Sequence, residues 1–128
     1  MKKIILIIVL VLAAGVGGFL YWRTAQTKDH TFNYDPGDKF STDITDSYRI
    51  LKTDIIISMS DDRKTEYYAE NNHIIRNIII NILRGRTEAD FRTAEIQNTI
   101  AEEILSGLRT EFGNEEFLRI YFNEFVIQ

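Results

Sequence analysis

Cysteine is absent from this 128-residue chain, and proline occurs once, at Pro36. The first absence excludes disulfides, Cys-containing zinc sites, thiol nucleophiles and a lipidated N-terminal cysteine. The second, together with 45% apolar residues, describes one domain that folds rather than a disordered chain. Catalytic signatures are missing as well. There is no Gly-x-Ser-x-Gly elbow, no His-Glu-x-x-His and no Gly-x-x-x-x-Gly-Lys loop, so a membrane-bound hydrolase lacks a visible nucleophile and base. Basic charge is scarce beyond the first 22 residues. Positions 23–128 carry 13 Lys and Arg against 19 Asp and Glu, a net charge of −6. That balance argues against nucleic acid, whose phosphates select basic surfaces.

What the sequence has in quantity is an apolar run at its start. Ile4 to Trp22 is 19 residues without a charge; as a helix rising ~1.5 Å per residue it spans roughly 28 Å, close to the hydrocarbon thickness of a bilayer. A cleaved signal peptide is the rival reading, with Lys2 and Lys3 as its basic start and Ala13-x-Gly15 as a small-residue cleavage site. The run continues through Val16, Phe19, Leu20, Tyr21 and Trp22, past the ~7–15 residues of a usual signal core, which favours an uncleaved anchor. Residues 1–3 then lie in the cytoplasm with Lys2 and Lys3, residues 4–22 span the membrane, and Tyr21 and Trp22 suit the far interface. Within the span, Ala13 with Gly17 and Ala14 with Gly18 have the small-xxx-small spacing that lets two helices approach closely, so these four residues are the expected site of transmembrane helix packing.

Residues 23–39 turn polar and read as a linker. It closes at Asp35-Pro36-Gly37-Asp38, where Pro presets φ and Gly supplies the positive φ that follows. Two carboxylates on such a turn fall short of the oxygens that calcium needs. Residues 40–128 read as the external domain, of mixed α/β (α+β) class. Alternation of Leu51, Thr53, Ile55, Ile57 and Met59 predicts a half-buried strand, and Asp61-Asp62-Arg63-Lys64 ends it in an exposed turn. Helical spacing of Ile75, Ile78, Ile79, Ile82 and Leu83 predicts one helix over Tyr67–Arg84, ended by Gly85. Thr87-Glu88-Ala89-Asp90 has the residues of a capped turn. Ile96, Ile100, Ala101, Ile104, Leu105, Leu108 and Phe112 make the apolar stripe of a second long helix, Ala94–Phe112, stopped by Gly113-Asn114. A terminal strand follows, with Leu118, Ile120 and Phe122 on one face and Arg119, Tyr121 and Asn123 on the other. The expected domain is a sheet covered on its apolar face by two long helices.

Candidate chemistry is thin. His30 lies in the linker, and His73 stands near a helix start beside Asn71 and Asn72, positions that suit a solvated or capping imidazole better than a ligand. Glu102 and Glu103 are neighbours on a helix and point about 100° apart, as on a solvated face rather than in a carboxylate pair. Arg84-x-Arg86 reads as a solvated basic loop, with anion binding as the alternative. No cofactor or metal site is expected.

The strings themselves carry a resemblance. Ile120-Tyr121-Phe122-Asn123-Glu124-Phe125-Val126-Ile127-Gln128 resembles the "vyFteFviQ"-like terminal strand of the flagellar basal body-associated protein FliL family. Asp43 to Lys52 resembles that family's "nL.d..RylK" entry, Ile74 to Ile79 its "iRdaii" helix, and Ile82 to Thr87 its "iLrsKt" turn. Asp43, Asn77 and Arg86 stand where Asn, Asp and Lys are usual. The resemblance implies a non-enzymatic, single-pass protein of the bacterial flagellar motor, in the cytoplasmic membrane, with an external stomatin-like (SPFH) domain. It further implies a ring of copies around the stator complex of A and B subunits, supporting torque, swimming or swarming and chemotaxis.

In such a ring an acidic domain must not meet itself. Arg49, Arg84, Arg86 or Arg119 are therefore expected to face Asp46, Glu102 or Glu111 of the next copy. A membrane-anchored sensor or ligand-binding module is the alternative, and would require a deep apolar pocket with convergent polar groups. Orientation is open to direct measurement, because the chain offers no competing thiol. An Asp62→Cys variant is expected to react with a membrane-impermeant thiol reagent in intact cells. Protection until lysis would reverse the orientation.

Overall fold

A computed structural model describes residues 1–25, 31–113 and 116–128, and the chain divides into two units, 1–30 and 31–128. The first unit is one helix, α1 (Lys2–Ala25). Its apolar side chains from Ile4 to Trp22 are exposed throughout, and the stretch Lys2–Trp22 has a mean hydropathy of 2.8. A surface of that kind is stable in lipid, where leaving water costs nothing and every backbone group is bonded within the helix.

Ala13, Ala14, Gly17 and Gly18, the expected site of helix packing, lie within α1. All four residues are exposed. A Cβ added at Gly17 would meet nothing within 4 Å, and the same holds at Gly18. Among the described residues α1 is the one helix of membrane-spanning length.

In the second unit the alternation of the central strand organises the sheet. That strand, β3 (Ile50–Met59), turns Leu51, Thr53, Ile55, Ile57 and Met59 inward, each no more than 1% exposed. It pairs antiparallel with every other strand: β1 (Phe32–Tyr34) and β2 (Phe40–Asp43) share one edge, and β4 (Phe117–Ile127) runs along the other. The helices follow β3 as α2 (Thr65–Glu70), α3 (Asn72–Leu83), α4 (Glu88–Phe91) and α5 (Ile96–Phe112). Both longer helices cover the inward face. Ile75, Ile79 and Leu83 of α3 and Ile100, Ile104, Leu105 and Leu108 of α5 are buried there with Phe40, Tyr68 and Phe117.

Three departures from the sequence pattern in this unit have physical causes. The single helix expected over Tyr67–Arg84 is two, broken at Asn71, whose amide Nδ2 and backbone N both donate to the Tyr67 carbonyl. That local bond competes with continuation of the helix. Leu118, expected inward with Ile120 and Phe122, is 42% exposed, and Phe117 takes the inward place. The cause is a bulge: Ser58 pairs with Arg119 while Met59 pairs with Phe117, so Leu118 is the extra residue. A second bulge at Asn123 resets the alternation, so that Phe125 and Ile127 turn toward the core. Last, the segment read as linker supplies β1, and both Tyr34 and Pro36 in it are buried. Gly37 does adopt the expected positive φ, +106°, with its N–H donated to Asp35 Oδ1. Gly113 ends α5 at φ +65°, whereas Asn114, His30 and linker positions 26–30 lie outside the described residues.

Gly107 marks a close approach of α5 to α3. A Cβ there would stand 2.9 Å from Ile78 Cγ2 and 3.4 Å from Ile82 Cδ1. Isoleucine in a helix is nearly confined to one χ1 rotamer, so neither side chain yields easily. Gly107→Ala is expected to lose about 1 kcal/mol net, the overpacking outweighing the better helix propensity of Ala. Thermal denaturation checks this: the midpoint should fall by about 4–8 °C, and by less when the same change is made in an Ile78→Ala background, where the Cγ2 it meets is gone. A midpoint that rises would mean the helices do not meet at this glycine.

Candidate functional site

The end of the sheet where β3 begins and β4 ends brings three charged side chains, Arg49, Glu88 and Arg92, to one cavity. The loop from Ile44 to Arg49 is fixed there by the Thr45 N–H donated to the Arg86 carbonyl, and Asp46 holds a left-handed φ of 60°. Ser47 Oγ donates to Glu88 Oε1 at 2.6 Å and accepts from the Arg49 N–H at 3.1 Å. Glu88 sits in the first turn of α4, where Thr87 and Asp90 form a complete capping box. Its carboxylate faces two guanidiniums, Arg49 at 3.7 Å and Arg92 at 3.6 Å. These side chains surround a cavity of about 210 Å³ with Phe91 and Ile127 as its apolar wall. Arg49 also donates to the Ile127 carbonyl.

The residues that the sequence singles out separate into engaged and free. Arg86 is engaged: its side chain is only 15% exposed, Nε donates to the Ile82 carbonyl, and Nη2 pairs with Glu103. Gly85, at φ +75°, turns the chain so that Arg84 is left in solvent while Arg86 folds back. Glu102 and Glu103 diverge, as helical neighbours must, and of the two it is Glu103 that pairs with Arg86. Arg84, Asp46, Glu102 and Glu111 are exposed, with no ion-pair partner among the described residues. Arg119 is exposed on the uncovered sheet face, 6.0 Å above the Tyr121 ring. On α1, Gly17 follows Ala13 by one helical turn and Gly18 follows Ala14, which puts the two pairs on adjoining lines of the helix surface with open space beside both glycines. His73 is exposed at the start of α3. Among the described residues no group of three His, Asp or Glu is placed to hold a metal ion.

Two features went unread in the sequence. One is the pairing of Arg92 and Arg49 on Glu88; the capped turn was legible, its ion pairs were not. The other is a clamp on the segment that enters the domain. Tyr34 Oη shares its one proton between Asn72 Oδ1 at 2.7 Å and the Tyr68 carbonyl at 3.1 Å, and Asn72 Nδ2 donates to the Pro36 carbonyl. Arg76 Nη1 donates to the Pro36 and Asp38 carbonyls, and its guanidinium lies 4.2 Å over the Phe40 ring. Buried carbonyls in an irregular segment need donors, and α3 supplies them.

At the opposite end of the sheet the charge is acidic. Asp61 is held ionised below the usual carboxylate range by the Arg63 backbone N–H and then its guanidinium, and Lys64 pairs with Glu116. Tyr67 stands 50% exposed beside Phe112, with Glu66 and Glu70 exposed on the same short helix.

A comparison with protein families matches residues 34–128 to the flagellar basal body-associated protein FliL. The chain belongs to the FliL family. A comparison with curated proteins finds no match. Membership carries a flagellar basal body-associated role, in a structural family not known for enzymes. The FliL match begins at Tyr34, where the clamp on α3 begins. The apolar helix that precedes it has the length and composition of a membrane anchor.

The clamp predicts a pH response. Burial first, and the Asp35 charge second, raise the Tyr34 phenol above its ordinary 10.0. The folded state thus keeps the proton longer than the unfolded state, so this contribution is complete below about pH 10 and is lost as pH rises through the folded value. Denaturant titrations between pH 8 and 11 should show a decline that Tyr34→Phe makes shallower. At pH 8 the same variant should cost about 1 kcal/mol through the lost hydrogen bonds. Equal declines in both proteins would place Tyr34 in solvent.

Proposed function

We propose that this FliL-family chain is a single-pass membrane protein whose external, stomatin-type domain assembles with further copies into a ring around the ion-driven stator, supporting torque and motility. The observation that carries the reading is the FliL match across 34–128 behind a bare apolar helix. Lys2 and Lys3 ahead of that helix favour a cytoplasmic N-terminus. A ring also needs contact groups left over after folding. Arg84 and Arg119 on one side of the charge balance, and Asp46, Glu102 and Glu111 on the other, are available in that sense. So are Gly17 and Gly18, beside which a helix of another subunit has room to approach. Identical domains meeting head to tail close when the rotation between neighbours divides a full turn.

A ring acts on a stator only by preferring one of its states. Binding the ion-conducting form more tightly than the plugged form shifts the equilibrium by that difference in affinity and no more. The expected outcome of deleting the chain is reduced swimming speed with filaments still assembled, and the full-length protein should copurify with the stator from detergent-solubilised membranes. A protein that never travels with the stator, and instead retains a small ligand, would make the sensor reading the correct one.

A further inference from the structure

We infer that the cavity between Arg49 and Arg92 is the socket of a head-to-tail contact, and that it receives the Tyr67 end of a second copy of this chain. The inference rests on the assembly proposed above and names the surfaces that would build it.

The socket has a defined chemistry. Its apolar wall is Phe91 and Ile127, and its volume of about 210 Å³ suits one aromatic side chain rather than a large ligand. Its rim holds two guanidiniums against one carboxylate, at 3.7 and 3.6 Å, so the lining itself carries one more positive than negative charge. Glu88 Oε1 is already occupied by the Ser47 hydroxyl. A domain of net acidic charge that keeps an excess cation beside an apolar cavity selects an anionic, partly apolar group.

The same chain carries that group at its other end. Tyr67 is half exposed, and Glu66 and Glu70, one helical turn apart, are exposed beside it without an ion-pair partner among the described residues. Socket and tip lie at opposite ends of the ten-residue strand β3, roughly 30 Å apart at ~3.3 Å per residue. Two copies set two-fold with their β3 strands antiparallel would join both ends reciprocally and stop at a dimer, whereas a socket that takes the tip of the next copy in turn is a heterologous contact that propagates. A double variant that stops at dimers would decide for the former.

The test uses full-length protein in its own membranes, where the absence of native cysteine makes added thiols unambiguous. Ala69→Cys beside the tip and Ala89→Cys beside the socket, both at exposed positions, are combined in one chain and oxidised. A ladder of dimers, trimers and higher species is expected from the double variant and none from either single variant. Arg92→Glu should then weaken the ladder about tenfold or more, and Glu70→Arg in the same chain should restore it. Arg92 is 80% exposed at its side chain and Glu70 is exposed, so neither change touches the core. Dimers from a single variant would overturn the contact in favour of a symmetric one. Higher oligomers with an amine-reactive cross-linker but no cysteine ladder would overturn this interface and leave the ring standing; monomers under both treatments would remove the interface and the ring together.

Discussion

Strand β3 is the constraint on which the folded unit depends. It is hydrogen-bonded on both edges, to β4 along its whole length and to β1 and β2 in succession. Its inward face forms the floor on which α3 and α5 pack. A slip of one residue would exchange Leu51, Ile55, Ile57 and Met59 for Lys52, Asp54, Ile56 and Ser58, placing charge under the helices. Thr53 is the polar member of the inward face and remains compatible with it because its hydroxyl donates to the Glu124 carbonyl. On the outer face the register sets Asp54 opposite Glu124, an unfavourable pairing. Lys39 offsets it by pairing with Glu124, a contact that raises the lysine above its ordinary range.

What could be read from the sequence is what one-sided burial imposes. The period of two in β3 and the stripe of α5 are visible because solvent lies on one side of each and the core on the other. The break at Asn71 escaped for the opposite reason. Tyr68, Ile75, Ile79 and Leu83 keep helical spacing across it, so periodicity is blind to a discontinuity that the Asn71 amide creates locally. The bulges in β4 are similar: each adds one residue and flips the parity, and the terminal string Phe122 to Ile127 has apolar residues enough to satisfy either phase. β1 is three residues long, too short for a pattern, and its place is decided by partners 34 and 38 residues away.

The candidate site was legible as a set of residue types and not as a set of contacts. Arg84 and Arg86 are equivalent in the sequence, yet one glycine between them at positive φ sends the second back onto Glu103 and leaves the first in water. Gly17 and Gly18 are a similar case, since their spacing names a surface and not the helix that would meet it. Arg49 was visible as a spare cation. Its neighbours Glu88 and Arg92 were not, because three elements distant in sequence, the β2–β3 loop, α4 and the end of β4, have to converge before the cavity exists. The strings that carry the FliL resemblance lie mostly on β3, α3 and β4, elements set by packing. Family is therefore easier to read from this sequence than the surface through which the domain makes contacts.

Membrane attachment changes what such a surface must achieve. Exposed ion pairs contribute on the order of 0–1 kcal/mol each, and a socket of this size adds the burial of one aromatic side chain, which is little for a contact between freely diffusing proteins. Anchors confine the copies to one plane, and an interface that is weak in solution is used there at a much higher effective concentration. The same confinement acts on geometry. Head-to-tail contacts that do not close in rotation grow as helical filaments, but each helical step would lift an anchor out of the bilayer and expose its apolar surface to water. In the proposed assembly the apolar helix thus does more than locate the domain, because it removes the out-of-plane solutions and leaves closure as the state in which every socket is filled.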